Sequence, residues 1–150
     1  MKLEEAIKQK VPFKCPYEKG LVNLLYTNSW LRTQMKDHFS LFDVTAKQYN
    51  ILRILKGADK PVTTSYIRER LLDKLSDVSR IVDRMEKNKL ISKKTNVKDK
   101  RLVDVKISKL GLDLLASIEK EESVVDSTLR NLSEQEIVKL NALLDKIRIN

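Results

Sequence analysis

The sequence predicts a mainly α-helical fold with one small two-stranded β-hairpin, and three observations support this. Apolar residues recur at three-to-four spacing along most of the chain, which is the period of helices packed on one face. Only three Gly and three Pro occur in 150 residues, too few for a loop-rich or all-β protein. Residues 102–107 alternate apolar and polar side chains instead, which is the period of a strand. The length suits one domain of ordinary size, so 1–150 is treated as a single domain.

A long helix is predicted first, over 17–39, after a polar arm formed by residues 1–15. It carries one apolar set that includes Leu21 and Leu25, and a second set beside it that includes Trp30. A helix that is apolar on two faces is usually covered on both, inside a core or by a partner chain.

Two further helices follow, each with a recognisable start. The pattern Thr45–Gln48 is a capping box, in which side chains satisfy free amides of the first turn, and the helix it opens ends at Gly57–Pro61. Thr63 or Thr64 can cap the next helix, which is short and runs to about Leu71.

A fourth helix and two strands complete the central part of the chain. The helix is predicted over 75–88, with its apolar residues on one face. The strands are predicted over 90–95 and 102–107, joined by a polar turn at 96–101. Two short helices followed by a hairpin form the pattern of a winged helix–turn–helix lobe, which would occupy about 45–107.

The C-terminal part is predicted to be helical. Ser108 caps a long helix that is expected to continue to Arg130, and the capping box Ser133–Glu136 opens the last helix. The apolar faces of these helices and of the first long helix look too wide for one small chain to cover. Helices at about 17–40 and 108–150 are therefore expected to interlock with those of a second copy in a homodimer.

Positive charge is concentrated in residues 74–109. Twelve Lys and Arg stand there against five Asp and Glu, a local net charge of +7 in a chain whose total is +9. A compact basic surface of this kind favours a polyanionic partner, above all nucleic acid.

The candidate contacts with double-stranded DNA follow from this arrangement. A helix fits the major groove, and the side chains near its N-terminus can reach base edges. Four candidates for facing the bases occupy that end of the helix predicted over 75–88: Ser76, Asp77, Ser79 and Arg80. A second group is expected to meet the DNA backbone: Thr63, Thr64, Arg84, Lys93 and Lys94. The hairpin turn adds Lys98, Lys100 and Arg101, which suit phosphates or a narrow minor groove.

Asp77 counts against this interpretation, since a carboxylate facing DNA repels phosphate. It fits only if it accepts a hydrogen bond from a cytosine amine or helps to hold Arg80. Helical hairpins and lysine-rich turns are also common on solvated surfaces. Their order in the chain, together with the local charge, is what makes the signal specific.

Two segments, VSRIVDRMEKNKLISKK at 78–94 and DKRLVDVKISKLG at 99–111, resemble the multiple antibiotic resistance regulator (MarR) family. The resemblance extends over nearly the whole chain and implies a dimeric winged helix–turn–helix transcription factor. Its most specific piece is the pair Asp99 and Arg101, because in that family the wing Asp braces an Arg that enters the minor groove. One departure is the absence of glycine before the first wing strand, so Asn88 or Lys89 must form the turn that ends the helix.

The resemblance also implies what such a protein does. It predicts a sequence-specific regulator, most often a repressor, that binds a pseudo-palindromic operator with two recognition helices about one DNA turn apart. A small-molecule effector would shift the spacing of the two heads. Two alternatives remain open: a winged-helix module that docks an acidic protein partner, and a non-specific nucleic-acid-binding protein.

Other functional classes have little support in the sequence. No phosphate-binding glycine loop or nucleophile–base pair is present, so no enzyme and no cofactor is expected. His38 has no ligand cluster around it, which argues against a metal site. Cys15 lies too far back for the position of known peroxide-sensing cysteines in the family, so an incidental thiol is favoured. With a single cysteine, no signal peptide and no long apolar run, a cytoplasmic protein without a membrane span is expected.

Three aromatic side chains leave a choice between two roles. Tyr26, Trp30 and Phe39 could line an effector pocket, but core or dimer contacts are the favoured interpretation.

Overall fold

The computed structural model describes residues 1–121 and 124–149. The described residues form helices and short strands with these bounds: α1 Leu3–Ala6, α2 Pro16–Ser40, α3 Ala46–Gly57, β1 Val62–Thr63, α4 Thr64–Arg70, α5 Val78–Lys87, β2 Ile91–Thr95, β3 Val103–Ile107, α6 Lys109–Lys120, α7 Val124–Leu129 and α8 Glu134–Ile147. They fall into two compact units. One contains residues 1–35 and the C-terminal segment from Val124, and the other runs from Lys36 through α6.

The core of the second unit is built from the apolar faces of its helices and from its sheet. Five of its large side chains are fully enclosed: Ile51, Leu52, Ile67, Met85 and Leu115. They come from α3, α4, α5 and α6, which confirms the one-sided periodicity of these helices. The capping box at Thr45 is present, with the Gln48 backbone N–H donating to the Thr45 hydroxyl at 3.2 Å.

The β-sheet has three antiparallel strands in the order β1-β3-β2, one more than the sequence predicted. β2 and β3 form the expected hairpin, with Ile91 opposite Ile107. The added strand, β1, pairs Val62 with Val105. The predicted two-stranded wing is therefore confirmed, and β1 extends it. β1 was not predicted because it has only two residues, too few to show an alternating pattern.

The helix that precedes the wing begins later than predicted. It starts at Val78, not at Leu75, because the Asp77 carboxylate accepts a hydrogen bond from the Arg80 backbone N–H at 3.2 Å and caps the first turn. At its other end Lys89 adopts a positive φ of 59°. The Leu90 N–H reaches the Met85 carbonyl at 3.0 Å, so the turn is a Schellman motif made without glycine.

α6 begins where the sequence predicted and ends earlier. The Ser108 hydroxyl accepts a hydrogen bond from the Gly111 N–H at 3.0 Å. The helix stops at Lys120, since Glu121 has extended backbone angles of φ −75° and ψ 159°. The expected continuous helix to Arg130 was therefore wrong at Glu121. Part of that prediction, residues 122–123, lies outside the described residues, and the chain is helical again from Val124.

The first unit contains α1, most of α2, α7 and α8. The segment predicted to be an entirely polar arm includes the short helix α1, whose Leu3 is buried. Much of the apolar surface of α2 is open: Leu21 and Leu25 are 60% and 61% exposed. No residue of α8 is buried. α2 and α8 thus present wide apolar faces that a single chain leaves uncovered.

Candidate nucleic-acid interface

The exposed face of α5 is the first part of the candidate interface. Ser79, Arg80 and Arg84 are all exposed on it, opposite the buried Val78, Val82 and Met85. α4 and α5 pack as the two helices of the predicted helix–turn–helix, and the turn between them ends at the Asp77 cap. The outer face of the first turn of α5 is therefore exposed to solvent.

Asp77 acts within the protein in two ways. It caps α5, and its carboxylate Oδ2 lies 3.1 Å from the Arg80 guanidinium Nε, while 89% of the Arg80 side chain remains exposed. Of the two roles that would reconcile Asp77 with a nearby phosphate, holding Arg80 is the one that this geometry supports.

Ser76 is placed differently from its neighbours. It lies before α5, its backbone N–H donates to the Asp73 carbonyl at 3.3 Å, and the residue is buried. A serine enclosed in this way gives no support to a contact with base edges. The sequence could not distinguish it from Ser79, because the register of the first helical turn depends on which residue caps it.

Thr63 and Thr64 both occupy the start of α4. The Thr63 hydroxyl accepts a hydrogen bond from the Tyr66 N–H at 3.3 Å, so Thr63 is the cap. Both threonines are half-buried. The cap satisfies the Tyr66 amide, and the remaining free amides of the first turn are the groups that would meet a phosphate oxygen.

The wing turn is held by a residue that the sequence reasoning missed. The Asn96 side-chain oxygen accepts hydrogen bonds from the backbone N–H groups of Lys98 and Asp99, at 2.8 and 2.9 Å. Its amide nitrogen donates to the Asp104 carboxylate at 2.8 Å. An Asn at the start of a polar turn is a known turn-forming signal, and it could have identified this role.

Arg101 is fixed at the tip of the wing by Asp99. Its Nε and Nη2 atoms each lie 3.0 Å from one carboxylate oxygen of Asp99, and its backbone N–H also donates to Oδ1. The Arg101 side chain is nevertheless 89% exposed. A bidentate pair restricts the orientation of the guanidinium while leaving its outer edge free to bind an anion.

The same pair sets the ionisation of Asp99. Hydrogen bonds from the Arg101 side chain, and then from its backbone N–H, hold the pKa of Asp99 below its ordinary value. Because the pKa in the folded state is depressed, the paired form is complete at neutral pH and is lost only as the pH falls through that lowered pKa.

We therefore expect the Asp99 carboxyl carbon to titrate below the ordinary range in an NMR pH titration. Arg101→Ala removes the largest cause and is expected to move the midpoint upwards. An identical midpoint in both chains would contradict the pairing.

The basic side chains of the hairpin divide into two kinds. Lys94, Lys98 and Lys100 are exposed. Lys93 is instead paired with two carboxylates of α5, Asp83 and Glu86, and its side chain is only 25% exposed. The sequence pattern treats all four as equivalent because spacing alone does not reveal an ion pair between a strand and a helix.

Other candidate sites are weaker. Within 1–121 and 124–149, no group of three or more His, Cys, Asp or Glu could hold a metal ion. Among the same residues, no helix is both long and apolar enough to cross a membrane. Phe39 is buried against Tyr49, with ring centroids 4.6 Å apart, whereas Tyr26 and Trp30 are 37% and 43% exposed. A cavity of about 560 Å³ in the first unit is bordered by Cys15, but none of these aromatic residues lines it.

The sequence is similar to those of known transcriptional regulators. Residues 42–102 match the MarR family. The HTH-type transcriptional regulator MhqR of Bacillus subtilis (strain 168) is 24% identical over 123 residues, which cover 80% of this chain and 83% of MhqR.

Solved structures show that the fold is shared. The organohalide-sensing transcriptional regulator RdhR, bound to 2,4-dichlorophenol, aligns with a TM-score of 0.80 at 23% identity, over 93% of this chain and 86% of its own. A mutant MarR from E. coli in complex with operator DNA aligns with a TM-score of 0.76 at 21% identity, over 99% of this chain and 100% of its own.

Proposed function

We propose that this chain, whose residues 42–102 match the MarR family, is a sequence-specific DNA-binding transcriptional regulator. The lobe built from α3 to β3 would bind double-stranded DNA, with α5 in the major groove and the β2–β3 wing along the minor groove. Its action would be repression of transcription, relieved by a small-molecule effector.

The proposal rests on how Arg80 and Arg101 are oriented and exposed. Each guanidinium is held by a neighbouring aspartate, Asp77 or Asp99, and each is 89% exposed. An arginine that is oriented before binding loses less conformational freedom when it meets a phosphate or a guanine. Thr63 and Thr64 are proposed to contact the DNA backbone. The other residues that we retain as DNA contacts are exposed: Ser79, Arg80, Arg84, Lys94, Lys98, Lys100 and Arg101.

A homodimer is part of this proposal, since a pseudo-palindromic operator requires two copies of the reading helix. The uncovered apolar faces of α2 and α8 support it. Such faces normally belong to interfaces, because large exposed apolar patches are unfavourable in water.

Sedimentation equilibrium should therefore give twice the 17.4 kDa mass of one chain. Leu25→Glu, which puts a charge into the open face of α2, is expected to shift the protein towards monomer. Leu72→Glu is the matched control, because Leu72 is 85% exposed in the turn after α4. A monomeric wild-type protein would contradict the dimer and favour a module that docks another protein.

The function itself is tested by fluorescence anisotropy with DNA from upstream of the protein's own gene. We expect tight binding to a site with two symmetric half-sites, and weaker binding to a scrambled duplex across a salt series. Equal, salt-sensitive binding to both duplexes would replace the proposal with non-specific nucleic-acid binding.

The effector is proposed to be a small aromatic molecule, by extension from the dichlorophenol bound to RdhR. Adding 2,4-dichlorophenol to the preformed complex is then expected to lower DNA affinity, and DNA is expected to lower affinity for the phenol by the same factor. An unchanged DNA affinity at saturating phenol would exclude this effector.

A further inference from the structure

Lys93 joins the wing to the recognition helix. Its Nζ lies 2.6 Å from Oδ1 of Asp83 and 2.9 Å from Oε2 of Glu86. Lys93 belongs to β2, the first strand of the wing, whereas both carboxylates belong to α5. One ammonium group thus bridges the two elements that are proposed to enter the two DNA grooves.

The local structure explains why this contact forms. Asp83 and Glu86 are three residues apart, so they lie on the same side of α5. Lys93 is two residues after the buried Ile91 and shares its face of β2, because side chains alternate along a strand. The alternate strand residues, Ser92 and Lys94, are exposed. Lys93 is thereby directed to the helix by the strand itself.

The pairing matters because it reduces the negative charge on this side of α5 from two to one. Without a partner, Asp83 and Glu86 would place two negative charges beside the basic face of α5, where they would repel DNA phosphates. Both remain partly exposed, at 58% and 41% of their side chains. Hydrogen bonds to Asp83 first, and then to Glu86, raise the pKa of Lys93, so the ammonium group stays charged.

We propose that Lys93 is a positioning residue for DNA binding and does not itself bind a phosphate: it fixes the wing against α5 and offsets one of the two negative charges of Asp83 and Glu86. This inference rests on the proposed function. It replaces the DNA-backbone role that the sequence alone suggested for Lys93. A lysine ammonium group has three N–H donors. In Lys93 two carboxylates of the protein are already within hydrogen-bond distance of this group.

The two roles differ in what they predict when the carboxylates are removed. If Lys93 acts through Asp83 and Glu86, removing it should have little effect on DNA affinity once both carboxylates are replaced by neutral side chains. If Lys93 binds a phosphate directly, removing it should lower DNA affinity by the same factor in either background. A mutant cycle therefore distinguishes the two roles. Replacing Lys93 removes one positive charge in both backgrounds, so the general effect of that charge on DNA affinity cancels in the comparison.

The experiment measures operator affinity of the wild type, Lys93→Met, Asp83→Asn/Glu86→Gln and the triple variant at one salt concentration. We expect Lys93→Met to weaken binding about tenfold in the wild-type background and less than threefold in the double-variant background. Lys93→Arg, which can keep both ion pairs, should stay within about threefold of wild type. An equal loss in both backgrounds would overturn the proposal and return Lys93 to the phosphate contacts.

Two controls keep the result interpretable. Lys94→Met removes an exposed lysine at the next position, and its effect on affinity should be the same in both backgrounds. Thermal unfolding identifies any variant that fails to fold. If the wild-type protein does not prefer operator over scrambled DNA, the proposed function fails first; if it does and the cycle shows no coupling, only the role of Lys93 fails.

Discussion

Arg101→Ala is expected to weaken operator binding by about 100-fold while the protein remains folded and dimeric. Losing an arginine contact costs about 1–3 kcal/mol, and a dimer loses one at each of its two wings. If each wing loses about 1.4 kcal/mol, the combined loss in affinity is about 100-fold. Folding should be unaffected, because the Arg101 side chain is 89% exposed and its described ion-pair partner is Asp99, within the same turn.

The measurement is anisotropy with operator DNA, accompanied by the sedimentation mass and thermal unfolding of the variant. Arg148→Ala is the matched control: Arg148 is also exposed and pairs with an aspartate, Asp145, but it follows the last helix, outside the DNA-binding lobe. We expect Arg148→Ala to leave affinity unchanged. Unchanged affinity for Arg101→Ala would remove the wing from the proposed mechanism.

Gly111→Ala is expected to destabilise the protein by about 3 kcal/mol, the upper part of the usual range for overpacking a core. An added Cβ would lie 2.2 Å from the Leu90 carbonyl oxygen, 3.0 Å from Cγ1 of Ile107 and 3.2 Å from Cδ2 of Leu52. The closest of these atoms belongs to the backbone and cannot rotate away. That carbonyl also accepts a hydrogen bond from the Ser108 N–H at 3.1 Å, so moving it disturbs the junction of β2, β3 and α6.

Thermal unfolding at one fixed protein concentration tests this prediction, since the melting temperature of a dimer depends on concentration. The expected decrease is roughly 6–12 °C for a loss of about 3 kcal/mol. Gly57→Ala is the control, because nothing lies within 4 Å of the position of its Cβ. Replacing a helical glycine in open space usually stabilises a helix, so the two alanines should have opposite effects. A Gly111→Ala protein as stable as wild type would show that the junction can shift.

Several features were predictable because their signals are local in the chain. Capping boxes at Thr45 and Ser133 begin helices at the expected residues, since each needs only a short run of backbone to form. The second strand of the wing was predicted from a period of two, and its antiparallel pairing with the first is confirmed. Asp99 and Arg101 are two residues apart, so their pairing also forms within one turn.

Other features depended on residues that are distant in sequence. β1 exists because Val62 pairs with Val105, 43 positions along the chain, and two residues alone carry no strand signal. The glycine requirement at position 111 comes from the Leu90 carbonyl, which belongs to another element. Position 111 falls in the helix that Ser108 was predicted to cap, but no local pattern indicates this close approach.

What the sequence alone determined about this protein is the type of each main element and the basic character of residues 74–109. These follow from periodicity, caps and charge, which act over a few residues, whereas the wing pair was identified through the resemblance to the MarR family. Tertiary structure decided which polar and charged side chains face solvent: Arg80 and Arg101 are exposed, Ser76 is buried, and Lys93 is bound to α5. That division arises because burial and ion pairing between elements depend on how helix and strand pack, and no local pattern encodes the partner.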